Sequence, residues 1–235
     1  EQLQRLPLLD KSDVREHLYF DLFSDNHDKR RMLRVTTSGS SGEPFVCYAD
    51  RHQLEMRWAS TLRSLEWTGY RFGDRQARLW HQTLGMSRVQ AFKERLDALL
   101  SRRIFIPAFE MSEDNVAALV ARLRRQRPLL IDGYAESFNF LAEFAARNGL
   151  EGLRPAAVVS SAQALPDGSR SVIEQVLGCR VFDKYGSREF SGIAYECEAH
   201  DGHHVVAESY VVEVLRDGRP ASPGELGEVV VTDLN

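Results

Sequence analysis

The stretch from residue 129 to 182 constrains the fold most. Short apolar runs with strand character alternate there with amphipathic helical segments. They run Leu129-Leu130-Ile131, a helix over 136–147, a strand over 156–160, a helix over 167–177, and Arg180-Val181-Phe182. Gly149 and Gly178 stand where the two helices should stop, glycine being the residue that most readily takes the left-handed turn after a helix. Alternation at this spacing calls for βαβ units, because two parallel strands can be joined only by a crossover of about a dozen residues or more. The reading is an α/β fold, a mostly parallel sheet with βαβ units flanked by helices. Ligands of such sheets gather beyond the strands' carboxyl ends. Those ends are Asp132-Gly133-Tyr134, Ser160-Ser161-Ala162-Gln163 and Asp183-Lys184-Tyr185-Gly186.

The flanking segments extend this pattern. Leu54, Trp58, Leu62 and Leu65 recur at helical spacing over 51–67, with Gly69 and Gly73 after them. A short strand is expected at 77–80, a helix over 87–102 through Val89, Phe92, Leu96 and Leu99, and a strand at Ile104-Phe105-Ile106, closed by Pro107. Ser112 suits an N-cap, with Glu113 and Asp114 in the first turn and Arg122, Arg124 and Arg125 in the last, the charge order a helix dipole favours. Past residue 206 the character changes. Two β-rich runs, 210–215 and 228–232, flank an Asp217-Gly218 turn and predict an antiparallel strand region. The chain is thus divided into a lead-in over 1–34, a nucleotide-binding α/β core over 35–205, and a truncated antiparallel region over 206–235.

Composition excludes several classes. Of 235 residues 43% are hydrophobic and 27% charged, the balance of a globular protein. Thirty Lys+Arg against thirty-four Asp+Glu leave a net charge of -4, which gives no drive toward nucleic acid or an anionic membrane. No run approaches the ~18 apolar residues of a membrane span. Three cysteines, Cys47, Cys179 and Cys197, form no paired framework and fit a reducing cytoplasm. The chain opens at Glu1 and stops inside the apolar run Val229-Val230-Val231, so it reads as a fragment.

Three motifs carry chemistry. Thr36-Thr37-Ser38-Gly39-Ser40-Ser41-Gly42-Glu43-Pro44 packs hydroxyls and glycines into a donor-rich loop whose natural ligand is phosphate. A Walker A pattern is absent, and a solvated linker is the competing reading. Asp183-Lys184-Tyr185-Gly186-Ser187-Arg188-Glu189 follows a strand and could hold a base or ribose, with Glu189 on Mg²⁺; an ordinary turn competes. Cys197, His200, His203 and His204 are spaced so that three of them could sit on one Zn²⁺, with the fourth ligand from elsewhere, such as Cys47 or Cys179. An exposed hairpin at Asp201-Gly202 competes with that zinc site. The basic run over 122–127 reads as the last turn of a helix.

The first two loops together resemble one family. Thr37-Ser38-Gly39-Ser40-Ser41-Gly42-Glu43-Pro44 is similar to the phosphate loop of adenylate-forming enzymes, T-S-G-[ST]-T-G-x-P, and Tyr185-Gly186-Ser187-Arg188-Glu189 to their Y-G-x-T-E motif. The phenylacetate–CoA ligase branch, with its capsule-biosynthesis and coenzyme F390 synthetase relatives, matches best. Leu6-Pro7-Leu8-Leu9-Asp10-Lys11-Ser12-Asp13, Tyr134, Ser161-Ala162-Gln163-Ala164-Leu165, Glu196-Cys197 and Gly224-Glu225-Leu226-Gly227-Glu228 carry that resemblance in order.

The resemblance implies ATP-dependent activation of a carboxylate, aryl acids favoured, with coenzyme A as acceptor. Residues 37–42 would bind phosphate, and Glu189 and Arg188 would serve catalysis, Glu189 on Mg²⁺. Ala162, Gln163, Asp183, Tyr185, Gly186 and Ser187 would frame the nucleotide, and Trp80, His81, Gly85 and Tyr134 the acyl group. Partners would be a small carboxylate and coenzyme A, in the cytoplasm, and a homodimer is compatible with this. Four positions depart from the family pattern. Ser41 replaces Thr, Glu43 stands where many relatives have Lys, Gln163 replaces Glu, and Arg188 replaces Thr. The branch's arginine–tyrosine–arginine stretch, ribose-binding Asp and C-terminal catalytic-lysine domain lie outside these residues, so the fragment alone should be a poor catalyst. Two other readings stand beside this one: adenylation with an amine, hydroxyl or carrier-protein acceptor, and a degenerate nucleotide-binding or scaffolding domain.

Overall fold

The structure is a computed structural model that describes residues 3, 6–18, 21–37, 44–80, 92, 96–108, 111–112, 114–149, 152–166 and 168–235. The chain divides into two compact units. The first comprises Glu1–Ser60, Ser187–Ile193 and Val205–Asn235, and the second Thr61–Gly186 and Ala194–His204.

The second unit is built on the βαβ alternation. Strands β3 (Gln76–Trp80), β4 (Arg103–Pro107), β5 (Leu130–Tyr134), β6 (Ala157–Ser161) and β7 (Arg180–Ser187) pair in parallel in the order β4-β3-β5-β6-β7. β8 (Ser191–Glu196) and β9 (His203–Val205) continue the sheet beyond β7. Their connections, residues 188–190 and 197–202, are too short for a crossover, which makes these additions antiparallel. Three helices, α3 (Val116–Gln126), α4 (Ala135–Arg147) and α5 (Ser169–Leu177), fill the connections.

The period of two along each strand splits the core. Ala77, Leu79, Ile106, Ile131, Val158 and Val181 pack with Val120, Leu123, Phe138, Leu141 and Ile173 of the three helices. Leu130, Ala157, Val159 and Phe182 join Leu65, Tyr70 and the partly buried Leu62 in a second cluster. Burying each such side chain is worth about 1.5–3 kcal/mol, so both faces of the sheet are covered.

Several boundaries differ from the sequence reading. The third helix starts at Val116, because Asn115 rather than Ser112 stands at its N-cap. The Asn115 Oδ1 accepts from the Ser112 N–H at 3.0 Å and closes a turn before the helix. β5 extends to Tyr134 and β7 to Ser187, since each has a partner strand on both sides. Asp132, Gly133 and the 183–187 segment therefore lie on strands rather than after them. The fifth helix begins at Ser169, past Gly168 at φ +81°. Residues 96–100 are helical within the helix expected over 87–102, most of whose first half lies outside the described residues.

The first unit is antiparallel. β1 (Leu33–Thr36) and β2 (Val46–Ala49) form a hairpin not anticipated from sequence, in register Thr36↔Val46. β10 (Tyr210–Arg216) lies between β11 (Arg219–Pro220) and β12 (Glu228–Asp233). The Asp217-Gly218 turn thus joins β10 to β11, and β12 pairs along β10's other edge from Tyr210↔Asp233 to Leu215↔Glu228. Helix α1 (Lys11–His17) precedes β1 in the chain, and α2 (Arg51–Leu65) follows β2. An Asp10/Asp13 capping box starts α1. Asp50 accepts from the Gln53 N–H at 2.7 Å at the start of α2. Among the described residues no helix is long and apolar enough to cross a membrane.

Candidate functional site

In the first unit, the hydroxyl- and glycine-rich segment is the connection between β1 and β2. Its stem is closed by a reciprocal pair: the Thr37 N–H donates to the Phe45 carbonyl at 2.9 Å, and the Phe45 N–H donates to Thr37 Oγ1 at 2.9 Å. Ser38, Gly39, Ser40, Ser41, Gly42 and Glu43 lie outside the described residues. Phe45 is buried at 7% exposure, and the Lys11 ammonium stands 5.5 Å from its ring centre. The same ammonium reaches Glu189 at 3.5 Å.

That contact brings Glu189 to the stem of the phosphate-type loop, although 144 positions (189 − 45) separate it from Phe45. A second observation agrees. The Cys47 thiol on β2 is pushed up first by burial and then by the negative charge of Glu189. The Glu189 side chain is only 14% exposed and Lys11 is 64% exposed, so the carboxylate is held in place while its partner is free to exchange. The 188–190 loop that carries Glu189 is fixed from both sides. The Tyr210 hydroxyl donates to the Phe190 carbonyl, and the Phe190 N–H donates to Ser187 Oγ at 3.3 Å. Arg188 is exposed. One carboxylate completed by substrate phosphates is the usual protein share of a Mg²⁺ site, and Glu189 fits that role.

In the second unit, the remaining candidates lie at the carboxyl ends of parallel strands. Ala162 follows β6 with φ +71°, a left-handed conformation that costs a non-glycine residue about 1–3 kcal/mol. Gln163 beside it is exposed. On β7, Asp183 is anchored by its backbone, whose N–H donates to Glu196 Oε2 at 2.7 Å. Asp183 Oδ2 meets His203 Nε2 at 3.3 Å, and Oδ1 is buried without a partner among the described residues. The hydrogen bond to Asp183 raises the His203 pKa, against the opposing effect of burial. Tyr185 is 46% exposed and follows Asp183 on the same face of β7.

Glu196 organises this end of the sheet. Arg170 donates to both its oxygens at 2.8 and 2.9 Å, and His200 Nδ1 lies 3.3 Å away. Burial raises the Glu196 carboxyl, but the Asp183 N–H and Arg170 outweigh it and the net shift is downward. Arg170 and His200 were not singled out together from sequence. The available signal was the arginine on the otherwise apolar side of a predicted helix.

Trp80 and Tyr134 stack at 4.4 Å between ring centres, 16° from parallel. The stack depends on close packing of β3 against β5. A Cβ on Gly133 would lie 2.7 Å from Leu79 Cβ and 2.9 Å from the Leu79 carbonyl oxygen, so only glycine fits. His81 and Gly85 lie outside the described residues. Behind the stack Arg78 pairs with Asp132 at 3.0 Å and sits 5.1 Å from the Trp80 ring centre. On the same face, burial lowers the pKa of Lys184, opposed by the charge of Asp132.

The zinc set is not assembled. Among the described residues no three His, Cys, Asp or Glu side chains are arranged to hold a metal ion. Successive strand residues point to opposite faces, so His203 turns to Asp183 and His204 to Cys197 Sγ at 3.2 Å and the Trp67 ring. His200 is taken by Arg170 and Glu196. Of the other cysteines, Cys47 lies on β2, and Cys179 packs on the core with its thiol pushed up to about 12 by burial.

Comparison with known proteins places this geometry. No family model matches the chain. Protein CapK of Staphylococcus aureus is 22% identical over 193 residues, covering 80% of this chain and 41% of CapK. Phenylacetate-coenzyme A ligase of Thermus thermophilus is 25% identical over 247 residues, covering 100% of this chain and 53% of the ligase. The solved structure of 2-hydroxyisobutyryl-CoA ligase in an open conformation, in complex with 2-HIB-AMP and CoA, superposes with a TM-score of 0.76. Its identity is 22%, covering 98% of this chain and 52% of that one. The chain therefore has the fold of such acid–CoA ligases and spans about half the length of the relatives it matches. The family resemblance read from the two loops is met by sequence relatives of the same kind.

Proposed function

We propose that the protein containing this chain activates a carboxylic acid with ATP and transfers the acyl group to coenzyme A. In the first step a carboxylate oxygen attacks the α-phosphorus, a P–O bond to the leaving pyrophosphate breaks, and an acyl-adenylate results. In the second step the coenzyme A thiol attacks the acyl carbon, AMP departs and the thiol proton passes to solvent. The observation that supports this reading most is the convergence of Glu189 and Lys11 on the Thr37–Phe45 stem.

Such chemistry depends mainly on positioning and charge neutralisation. Thr37, with residues 38–42, donates to the β- and γ-phosphates. Lys11 supplies beside that stem the positive charge that Glu43 does not. Glu189 holds Mg²⁺, which neutralises phosphate charge when bound. Ala162, Gln163, Asp183, Tyr185, Gly186 and Ser187 frame the nucleotide, with the free Asp183 Oδ1 as an acceptor for a donor on it. Trp80 and Tyr134 offer the acyl group a flat wall, and His81 and Gly85 are the further residues assigned to it by the family resemblance.

ATP–pyrophosphate exchange over a panel of aryl and aliphatic acids tests the proposal. At least one acid should support exchange. Glu189→Gln should lower the rate by about 10²–10³, the scale for loss of one preorganised charge contact. Nucleotide binding without exchange for any acid would instead establish a degenerate binding domain. The second reading, adenylation with an amine, hydroxyl or carrier-protein acceptor, predicts adenylate without thioester on adding coenzyme A.

A further inference from the structure

A cavity of about 590 Å³ lies in the second unit, lined by residues around the starts of β5 and β6. It is therefore at the opposite end of the parallel strands from Ala162 and Tyr134. Arg124 and Arg127, from the end of α3, and Arg154, from the segment before β6, line it together with Leu123, Leu129 and Leu153. Arg124 Nε is buried without a hydrogen-bond partner among the described residues. Gly152, at φ +90°, passes the backbone so close that a Cβ there would sit 3.6 Å from that nitrogen.

Helix capping does not account for these three guanidiniums. At the end of α3 the Leu123 carbonyl already accepts from the Arg127 N–H at 2.8 Å, and the Gln126 carbonyl from Arg75 at 2.9 Å. Three like charges around one partly apolar space repel one another, and the half-buried Arg124 loses hydration as well. An entering anion reverses both costs. Phosphate suits the guanidinium fork, which binds it through two parallel hydrogen bonds.

We infer that this cavity is a second, separate anion-binding site, taking a phosphorylated small molecule whose apolar body rests on Leu123, Leu129 and Leu153. It is independent of the activity proposed above, because none of its lining residues belongs to the nucleotide or acyl site.

Calorimetric titration with inorganic pyrophosphate at low ionic strength tests it. Parallel arms use Glu189→Gln, the exposed pair Arg127→Glu/Arg154→Glu, and the milder Arg127→Gln/Arg154→Gln, with thermal unfolding to confirm that each variant is folded. One binding component should survive Glu189→Gln and weaken roughly tenfold in either arginine pair, the scale for losing charge-assisted contacts. An unchanged isotherm in both arginine pairs would overturn the inference, as would a single component lost with Glu189→Gln. A vesicle arm with and without phosphoinositide separates a free phosphate ligand from a lipid headgroup, and capture on the phosphoinositide vesicles alone would overturn the small-molecule assignment.

Discussion

Both clusters of packed apolar side chains lie in the second unit, whereas a buried ion pair ties elements of the first. In the sheet of the second unit, Ala77, Leu79, Ile131, Val158 and Val181 are fully buried between strands and helices. In the first unit, where Phe45, Ala49, Val206 and Tyr210 are likewise buried, polar pairs add further ties. Arg57 and Gln53 on α2 each meet Asp233 Oδ2 at 3.0 Å, and Arg57 and Asp233 are only 8% and 12% exposed. Lys11 meets Glu189 in the same manner nearer the surface. Apolar packing is non-directional and tolerates small shifts, whereas a buried ion pair fixes its partners in one geometry and fails once either is removed. The regular sheet supplies a frame, and the charged unit holds the groups proposed to handle phosphate.

The sharpest way to break this contrast is Asp233→Leu. It removes the carboxylate facing the buried Arg57 and should cost about 3–5 kcal/mol. Hydrogen exchange should lose protection in β10 and β12 while β5 and β6 keep theirs; equal loss in both units would show that they unfold as one.

Gly133→Ala attacks the frame instead. The new methyl must displace Leu79, and overpacking of this kind costs about 1–3 kcal/mol. Urea unfolding should show that loss, together with lowered protection in β3 and β5. No loss would mean that the strands separate freely and that the Trp80–Tyr134 stack does not depend on their close approach.

The smallest effect concerns His203. Its folded pKa lies above the ordinary 6.5 because of Asp183. The pair therefore stabilises fully below about pH 6.5 and loses that contribution as pH rises through the raised value. Partial exposure limits it to about 0.5 kcal/mol. The stability difference between parent and His203→Gln should be larger at pH 5.5 than at pH 8.5, measured by urea unfolding. The opposite trend would remove Asp183 as its partner.

Much of the frame was legible because alternation of strand and helix is local. Val120 and Leu123, Phe138 and Leu141, and Ile173 recur at helical spacing wherever the helix packs, and glycine stops show directly. Strand ends were less legible. Whether Asp132–Tyr134 and Asp183–Ser187 belong to strands depends on neighbours contributed by β3, β6 and β8, which no local pattern reveals. The antiparallel pairing of 210–215 with 228–232 and the Asp217-Gly218 turn were read correctly, but the two-residue strand β11 after the turn was not, because so short a segment carries no pattern of its own.

For the candidate site, the sequence by itself determined the chemical inventory: the hydroxyl- and glycine-rich loop, the Tyr185–Glu189 motif, and the residues at three strand ends. Composition and spacing marked these residues as candidates, and the family resemblance gave them their expected roles. Only the tertiary structure decided which of them meet. Lys11 reaches both Phe45 and Glu189, Arg170 and His200 converge on Glu196, and of the zinc candidates His204 meets Cys197 while His200 and His203 turn to other partners. Electrostatic and hydrogen-bonding energies fall steeply with distance in space, and distance in space between residues far apart in the chain is set by how the strands pack.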